Sequence, residues 1–384
     1  MPTVYEFFAG GGMARTGLGE SWTCLFANDI DHRKTEAYRN NFGSAALSQG
    51  DIAALSVDDL PGEADLAWAS FPCQDLSLAG GGAGLAGARS GTVFAFWRLV
   101  AEMAQQGRAP QVIALENVCG ALTSSGGRDF EALCAAFVDT GYRFGALVID
   151  AALFVAQSRP RLFLIGVRDD VPVPASLTSP TPLEPFHSPA LLRAVRRLPE
   201  PLRAKALWWR LPLPDDPPHP FSRALEEAPP DARWRTPQET QQLLDLMAPG
   251  HLAKVESARA SGARRVGAVY RRTRTQPDGS RRQRAEVRFD EVAGCLRTPG
   301  GGSSRQMILV VEGESVRSRL ISARETARLM GLPETYRLPQ GYTDAYHVTG
   351  DGVVVPVVAH LARQLLEPLV AAVSAGAQGA ITIK

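Results

Sequence analysis

Residues 7–19 read FFAGGGMARTGLG, and this stretch decides the fold. The apolar run TVYEFFA at residues 3–9 has the length and composition of a strand, breaks at Gly10, Gly11 and Gly12, and gives way to a helix-like segment. A glycine turn between a strand and a helix start lets the backbone bend sharply and brings a ligand close to the helix N-terminus. Asp29 stands 19 residues beyond Gly10, after the second apolar run TCLFAN, where a carboxylate meets ribose hydroxyls in a nucleotide-type site. Asp51, in QGDIAAL after a third short run, is placed to accept from an adenine amino group.

Working outward, DLAWAS, QVIAL, YRFGALVID and RLFLIGV supply more strand-length apolar runs, separated by helix-like segments around residues 32–41, 93–107 and 128–139. This alternation predicts an α/β fold with a mostly parallel sheet covered by helices on both faces. After Gly166 the texture changes. Residues 172–237 are dense in proline, with interruptions such as LPLPDDPPHP that argue against a continued regular sheet. Residues 259–305 hold 12 basic and 4 acidic side chains and show little periodicity. Regularity returns at SARETARLMGL, where Ser322 precedes Glu325 by three residues in the pattern of a capping box.

The 384 residues are 45% hydrophobic, enough for a large core, which excludes a disordered or fibrous chain. No run approaches the roughly 18 consecutive apolar residues of a membrane span, and MPTVYEFFAGGG has neither a basic leader nor a cleavage site, so a soluble cytoplasmic protein is expected. Five widely spaced cysteines without a CxxC pair suggest neither a disulfide framework nor a metal site. The 41 basic and 40 acidic side chains leave a net charge of +1, but the charge is unevenly spread. Residues 1–158 carry 9 basic and 17 acidic groups, residues 159–305 carry 25 and 16, and residues 306–384 carry 7 and 7. A polyanionic partner therefore belongs on the middle segment, with salt-dependent binding.

Three constellations carry chemistry. In SFPCQDLSLAGGGAGLAGARSG, Cys73 sits just past a strand's C-terminal end and ahead of a glycine-rich loop, where open α/β sheets place reactive groups. In ALENVCG, Glu116 ends the strand QVIAL on the same rim, where a partly buried carboxyl can donate a proton near neutrality. In QSRPRLFLIG, Arg159 and Arg161 are spaced to share one face of a strand, and their planar guanidinium groups suit a phosphate or a polar base edge.

In this order FAGGG, FPCQ, ENV and QSRPR resemble the motifs of the bacterial, restriction-modification type of cytosine-C5 DNA methyltransferase, over roughly residues 3–168 and 320–365. The resemblance implies a Rossmann-like, S-adenosylmethionine-dependent methyltransferase fold. The catalytic domain would span residues 1–180 and 340–384, and a smaller irregular target-recognition domain residues 181–339. It implies that Cys73 is the nucleophile at cytosine C6, that Glu116 donates to N3, and that Arg159 and Arg161 lie near the cytosine carbonyl and the thiolate. The cofactor would meet Phe8, Ala9, Gly10, Gly12, Asp29, Ile30, Asp51, Ile52 and Pro72, with Asp351, Gly352 and Val353 from the last motif; no metal is implied. DNA contacts would come from Ser77, Arg89, Ser90, Arg271, Arg272, Arg297, Thr298, Ser303, Ser304 and Arg305. The partner is double-stranded DNA with a specific cytosine-containing site, bound by a monomer with a cognate restriction endonuclease as companion.

Two departures stand out: Met13 replaces a glycine common in the family, and GDGV replaces the usual GNSV, so altered cofactor affinity is expected with the cofactor retained. Three other readings compete. A nicotinamide-dependent oxidoreductase leaves FPCQ, ENV and QSRPR unexplained. A tRNA cytosine-5 methyltransferase of the same fold would use the same cysteine and glutamate, but the long basic interval favours duplex DNA. A catalytically silent DNA-binding relative is disfavoured by the presence of both Cys73 and Glu116.

Overall fold

The computed structural model describes residues 1–71, 91–275, 279–297 and 305–373. The chain divides into two compact units. The first comprises Met1–Asp150, Pro160–Pro214 and the chain from Val353 onward; the second comprises Ala151–Arg159 and Asp215–Gly352.

The first unit is built on β1 (Thr3–Phe7), β2 (Thr23–Asp29), β3 (Leu47–Gln49), β4 (Leu66–Ala69), β5 (Val112–Val118), β6 (Tyr142–Asp150), β7 (Pro160–Arg168), β8 (Thr178–Ser179) and β9 (Ala206–Trp209). They form one sheet in the order β3-β2-β1-β4-β5-β7-β6-β9-β8. β1 to β5 are mutually parallel where they pair, and β7 runs antiparallel to both β5 and β6. The helices of this unit are α1 (Met13–Leu18), α2 (His32–Phe42), α3 (Thr92–Gln105), α4 (Arg128–Asp139), α5 (Pro189–Arg197) and α6 (Glu200–Arg203). The three helices read from the sequence are α2, α3 and α4.

A chain of aromatic contacts ties the layers together. Phe7 of β1 meets Phe96 of α3 with ring centroids 5.3 Å apart, Trp97 meets Phe137 of α4 at 4.8 Å, and Phe137 stacks on Phe144 of β6 at 6.2 Å. Gly166 of β7 makes room for this stack, since a Cβ there would stand 2.3 Å from the Phe137 ring. Such burial of large rings dominates core energetics.

The proline-rich segment does continue the sheet, through the short outer strands β8 and β9. The proline-free stretch ALWW pairs parallel to β6 (Phe144 opposite Ala206), and Trp209 is fully buried with its indole N–H donated to the Ile165 carbonyl at 3.2 Å. Proline excludes a strand only where a ladder hydrogen bond is required, and these four residues contain none.

The second unit holds α7 (Pro237–Asp245), α8 (Pro249–Ala260), β10 (Arg265–Thr275), β11 (Arg281–Arg288), β12 (Met307–Glu312), β13 (Ser315–Leu320), α9 (Ala323–Leu329) and α10 (Tyr342–Asp351). Its strands form an antiparallel sheet in the order β11-β10-β12-β13. Leu243 and Leu244 of α7 and Val255 of α8 pack on Val269, Val287, Met307 and Leu309. Within the aperiodic basic stretch, Arg265–Thr275 and Arg281–Arg288 are therefore regular β structure. Its outer half is exposed on both faces, so it lacks the apolar-polar alternation that marks a strand in sequence. The expected capping box is present: Ser322 Oγ accepts from Glu325 N at 3.1 Å and Glu325 accepts from Ser322 N at 2.7 Å. Glu325 also forms a fully buried ion pair with Arg319 at 2.6 Å.

The first unit's last helix, α11 (Val355–Leu361), packs on α1 so closely that a Cβ on Gly17 would lie 2.5 Å from Val358. Residues 342–373 make the one helical stretch, among the described residues, long and apolar enough to cross a membrane; two-thirds of its most apolar window is buried within the protein. That burial is the pattern of a core helix.

Candidate active site

The C-terminal ends of β1 to β5 share one rim of the sheet, and β1 lies where the strand order reverses, the place where open α/β sheets take ligands. At this rim the chain leaves β1 through Phe8 (φ 56°), Gly10 (φ 57°) and Gly12 (φ 77°). Phe8 holds a left-handed conformation despite its side chain, a strain the sequence did not signal. Gly12 is required twice over, by its φ and because a Cβ would lie 2.4 Å from the Phe42 ring. At Gly10 a Cβ would meet nothing within 4 Å among the described residues, so as far as these go the turn faces open space. Met13, the departure from the family pattern, is the first residue of α1 and is buried.

Asp29 stitches this turn to the next strand. Its Oδ2 accepts from Gly10 N and its Oδ1 from Asp31 N, both at 2.8 Å. Burial pushes its carboxyl above the usual range, opposed by these two hydrogen bonds and by Lys34. A carboxylate offers about four lone-pair sites, so two remain for a ligand. Next to it Ile30 is 67% exposed, an apolar side chain displayed beside the turn. Asn28 donates to the carbonyls of Ser48 (3.0 Å) and Gly50 (3.1 Å), fixing the loop that carries Asp51. Asp51 is exposed and accepts from Ala53 N at 2.9 Å, while Ile52 is buried beneath it.

Farther along the rim, Glu116 is 7% exposed, and Arg161 Nε lies 3.1 Å from its Oε1. The register that sets Arg161 opposite Val118 brings the two side chains together across β5 and β7. Its neighbour Asn117 donates to the Phe71 carbonyl at 2.9 Å in a buried bond, anchoring the segment that leads into Pro72 and Cys73. Cys73, Pro72, Ser77, Arg89 and Ser90 lie outside the described residues, as do Thr298, Ser303 and Ser304.

The arginine pair of QSRPR is divided, contrary to the expectation that both residues share a strand face. β7 begins at Pro160, and Arg159 belongs to the second unit, where it is 2% exposed. There it donates to the carbonyls of Leu296, Gly350 and Gly352, each at 2.9 Å, with Cys295 Sγ at 3.3 Å. Gln157 works beside it, donating to Leu329 O at 2.8 Å and accepting from Leu296 N at 2.9 Å. The physical reason is the proline: it starts the strand and leaves residues 151–159 to pair elsewhere, through Ser158 N to Ala293 O and Ala293 N to Ala156 O. Arg159 thus clips the segment before residue 298 to the GDG turn, and Arg161 alone stands beside Glu116.

Residues 3–367 match the family model described as C-5 cytosine-specific DNA methylase. The chain belongs to this family. Type II methyltransferase M.NlaX of Neisseria lactamica is 25% identical over 368 residues, covering 94% of this chain and 95% of that protein. Type II methyltransferase M.HhaI of Haemophilus parahaemolyticus is 25% identical over 364 residues, covering 94% and 93%. The crystal structure of the S. pombe Dnmt2 methyltransferase shares the fold, with a TM-score of 0.58 at 17% identity, covering 96% of this chain and 99% of that one.

Within this C-5 cytosine-specific methylase, four buried or anchoring side chains escaped the sequence reading: Asn117, Asn28, Gln157 and Glu6. Glu6, in the middle of β1, is fully buried; its Oε1 accepts from Arg15 N at 3.2 Å and its Oε2 has no hydrogen-bond partner among the described residues. Burial pushes its carboxyl up to about 8, opposed by Arg15. A strand interior acid was the available signal, since a charged residue amid TVYEFFA must be neutralised or paired. Of the expected last-motif residues, Asp351 ends α10 and Gly352 caps it, in the second unit, while Val353 opens the final segment of the first. Among the expected DNA contacts, Arg271 and Arg272 lie on β10 and Arg297 is exposed. Arg305 donates to Thr343 Oγ1 at 2.8 Å and stacks over the Tyr342 ring.

Proposed function

We propose that this chain is a DNA (cytosine-5-)-methyltransferase that methylates C5 of a cytosine flipped out of duplex DNA at a specific sequence. The observation that carries the reading is the convergence, on one sheet rim, of the glycine turn, Asp29, Asp51 and the Arg161–Glu116 pair, with Asn117 holding the chain that enters Cys73. The open space over Gly10 fits S-adenosylmethionine, with Asp29 toward the ribose, Asp51 and Ile52 toward the adenine, and the exposed Ile30 against its apolar face. When bound, the cofactor supplies an electrophilic methyl group.

The cytosine must leave the stack, because a thiolate cannot reach C6 inside a duplex. The Cys73 thiolate then adds to C6, and the displaced electron pair moves toward N3, where Glu116 delivers a proton. Arg161 holds Glu116 by Oε1, while Oε2 makes no hydrogen bond among the described residues and is left for the base. C5, made nucleophilic by this addition, takes the methyl group and leaves S-adenosylhomocysteine behind; C5 then loses its proton to a base, the C6–S bond breaks to release the Cys73 thiolate, and N3 returns its proton to Glu116. The second unit is the proposed target-recognition domain. We assign the enzyme to the cytoplasm as a monomer, beside a cognate restriction endonuclease.

The test is bisulfite sequencing of plasmid DNA after expression of wild-type, Cys73→Ser and Glu116→Gln chains. Wild type converts one cytosine-containing sequence to the protected form; both variants lose protection by at least about a thousandfold in rate while keeping DNA binding. Methyl incorporation into tRNA but not duplex DNA, or methylation that survives loss of the thiol, overturns the reading.

A further inference from the structure

The hairpin of β10 and β11 sets arginines directly across from one another. The register sets Arg272 opposite Arg284 and Arg274 opposite Arg282, and Tyr270 opposite Glu286. Residues two apart on a strand share a face, so Tyr270, Arg272, Arg274, Arg282, Arg284 and Glu286 form one surface. Like charges directly across a pair of strands repel, and this hairpin stacks two such pairs in succession. Glu286 sits at the root of the face and steadies two of them, lying 2.6 Å from Arg274 and 3.7 Å from Arg272. Arg272 is further braced over the Tyr270 ring at 5.4 Å. Among the described residues this face carries four arginines and one glutamate. Arg272 and Arg274 keep 45% and 50% of their side-chain surface exposed, and Arg282 is exposed as well. The hydrophobic packing of the hairpin ends at Val269 and Ala285, so the paired arginines at 272–274 and 282–284 lie beyond the unit's core.

We propose that this paired-arginine face grips the phosphate backbone of duplex DNA independently of base sequence, leaving base reading to other parts of the second unit. The inference rests on duplex DNA being the substrate and assigns one surface its share of the work. A planar guanidinium forms paired hydrogen bonds to phosphate, and a ladder of them answers a polyanion where a single charge would be solvated. The assignment also separates two neighbouring arginines: Arg272 belongs to the backbone-gripping face, whereas Arg271 points to the opposite side of the strand.

The experiment measures binding of wild type and the double variant Arg282→Gln/Arg284→Gln across a range of salt. The duplexes are one of scrambled sequence and one bearing the site mapped by bisulfite. Each phosphate neutralised by an arginine adds about 0.9 to the steepness of the salt dependence, so the double variant should show a slope smaller by about 1.8 on both duplexes. Affinity should fall about sixtyfold near 0.1 M salt and converge with wild type toward 1 M. The melting temperature should stay close to that of wild type, because neither side chain belongs to the unit's apolar core. An unchanged slope, a weakening confined to the duplex bearing the site, or a weakening on tRNA with duplex binding intact overturns the proposal. Failure of wild type itself to bind or methylate any duplex would instead overturn the reading on which it rests.

Discussion

Gly10 and Gly12 share one turn but answer to different constraints, and replacing each by alanine separates cofactor recognition from packing. Both residues have positive φ, so a Cβ costs about 1–2 kcal/mol at either position from conformation alone. At Gly10 none of the described residues stands within 4 Å of the new methyl group, and the destabilisation stops there. At Gly12 the methyl group lies 2.4 and 2.9 Å from Phe42 and 2.9 Å from Tyr38, adding about 1–3 kcal/mol of overpacking. For a unit of this size each kcal/mol shifts melting by roughly 2 °C. Gly10→Ala should therefore melt about 2–4 °C below wild type and Gly12→Ala about 4–10 °C below. Titration calorimetry with S-adenosylhomocysteine should show the reverse ranking relative to the drop in melting temperature: Gly10→Ala gives up at least about tenfold in affinity because its methyl group enters the space the ligand needs. If Gly10→Ala binds S-adenosylhomocysteine as tightly as wild type, the space over that turn is not the cofactor's and the site must be sought elsewhere.

Glu6 has a folded-state value near 8, above its unfolded value, so between those two pH values the folded chain holds a proton that the unfolded chain has released. Stability should fall as pH rises from about 5 to about 8, by on the order of 4 kcal/mol from this group, and Glu6→Gln should flatten that portion of the curve in chemical denaturation. A Gln variant with the wild-type pH dependence would show that Glu6 is not the group responsible. Arg159→Ala leaves the carbonyls of Leu296, Gly350 and Gly352 without their charged donor and should cost about 3–5 kcal/mol. Arg159→Lys, a point donor in place of a fork, should recover only part of that. Hydrogen exchange should accelerate at residues 293–297 and 350–352 in both variants; unchanged protection there would remove the clip from the account.

Local signals explain why much of the first unit could be read directly. The strand-glycine-helix junction at residues 3–18, the amphipathic spacing of residues 128–139 and the Ser322–Glu325 box each encode structure within a few residues. The same holds for Asp29, which ends β2 where the apolar run before it ends, whereas Glu116 lies inside β5, which runs on to Val118 rather than stopping where the apolar run does. The basic hairpin was illegible for the opposite reason. Its charged half buries neither face, so no period marks it, and only the pairing of Arg272 with Arg284 reveals a surface.

The sequence by itself determined the order of the motifs, the α/β class and the positions of the rim acids, because each depends on neighbours along the chain. Only the tertiary structure decided that Arg161 faces Glu116 while Arg159 turns to Gly350 and Gly352, that Asn117 holds Phe71, and that Glu6 is sealed with no partner for Oε2 among the described residues. Those outcomes depend on which strands become neighbours and how deeply each side chain is removed from water, and neither is carried by the spacing of residues along the chain.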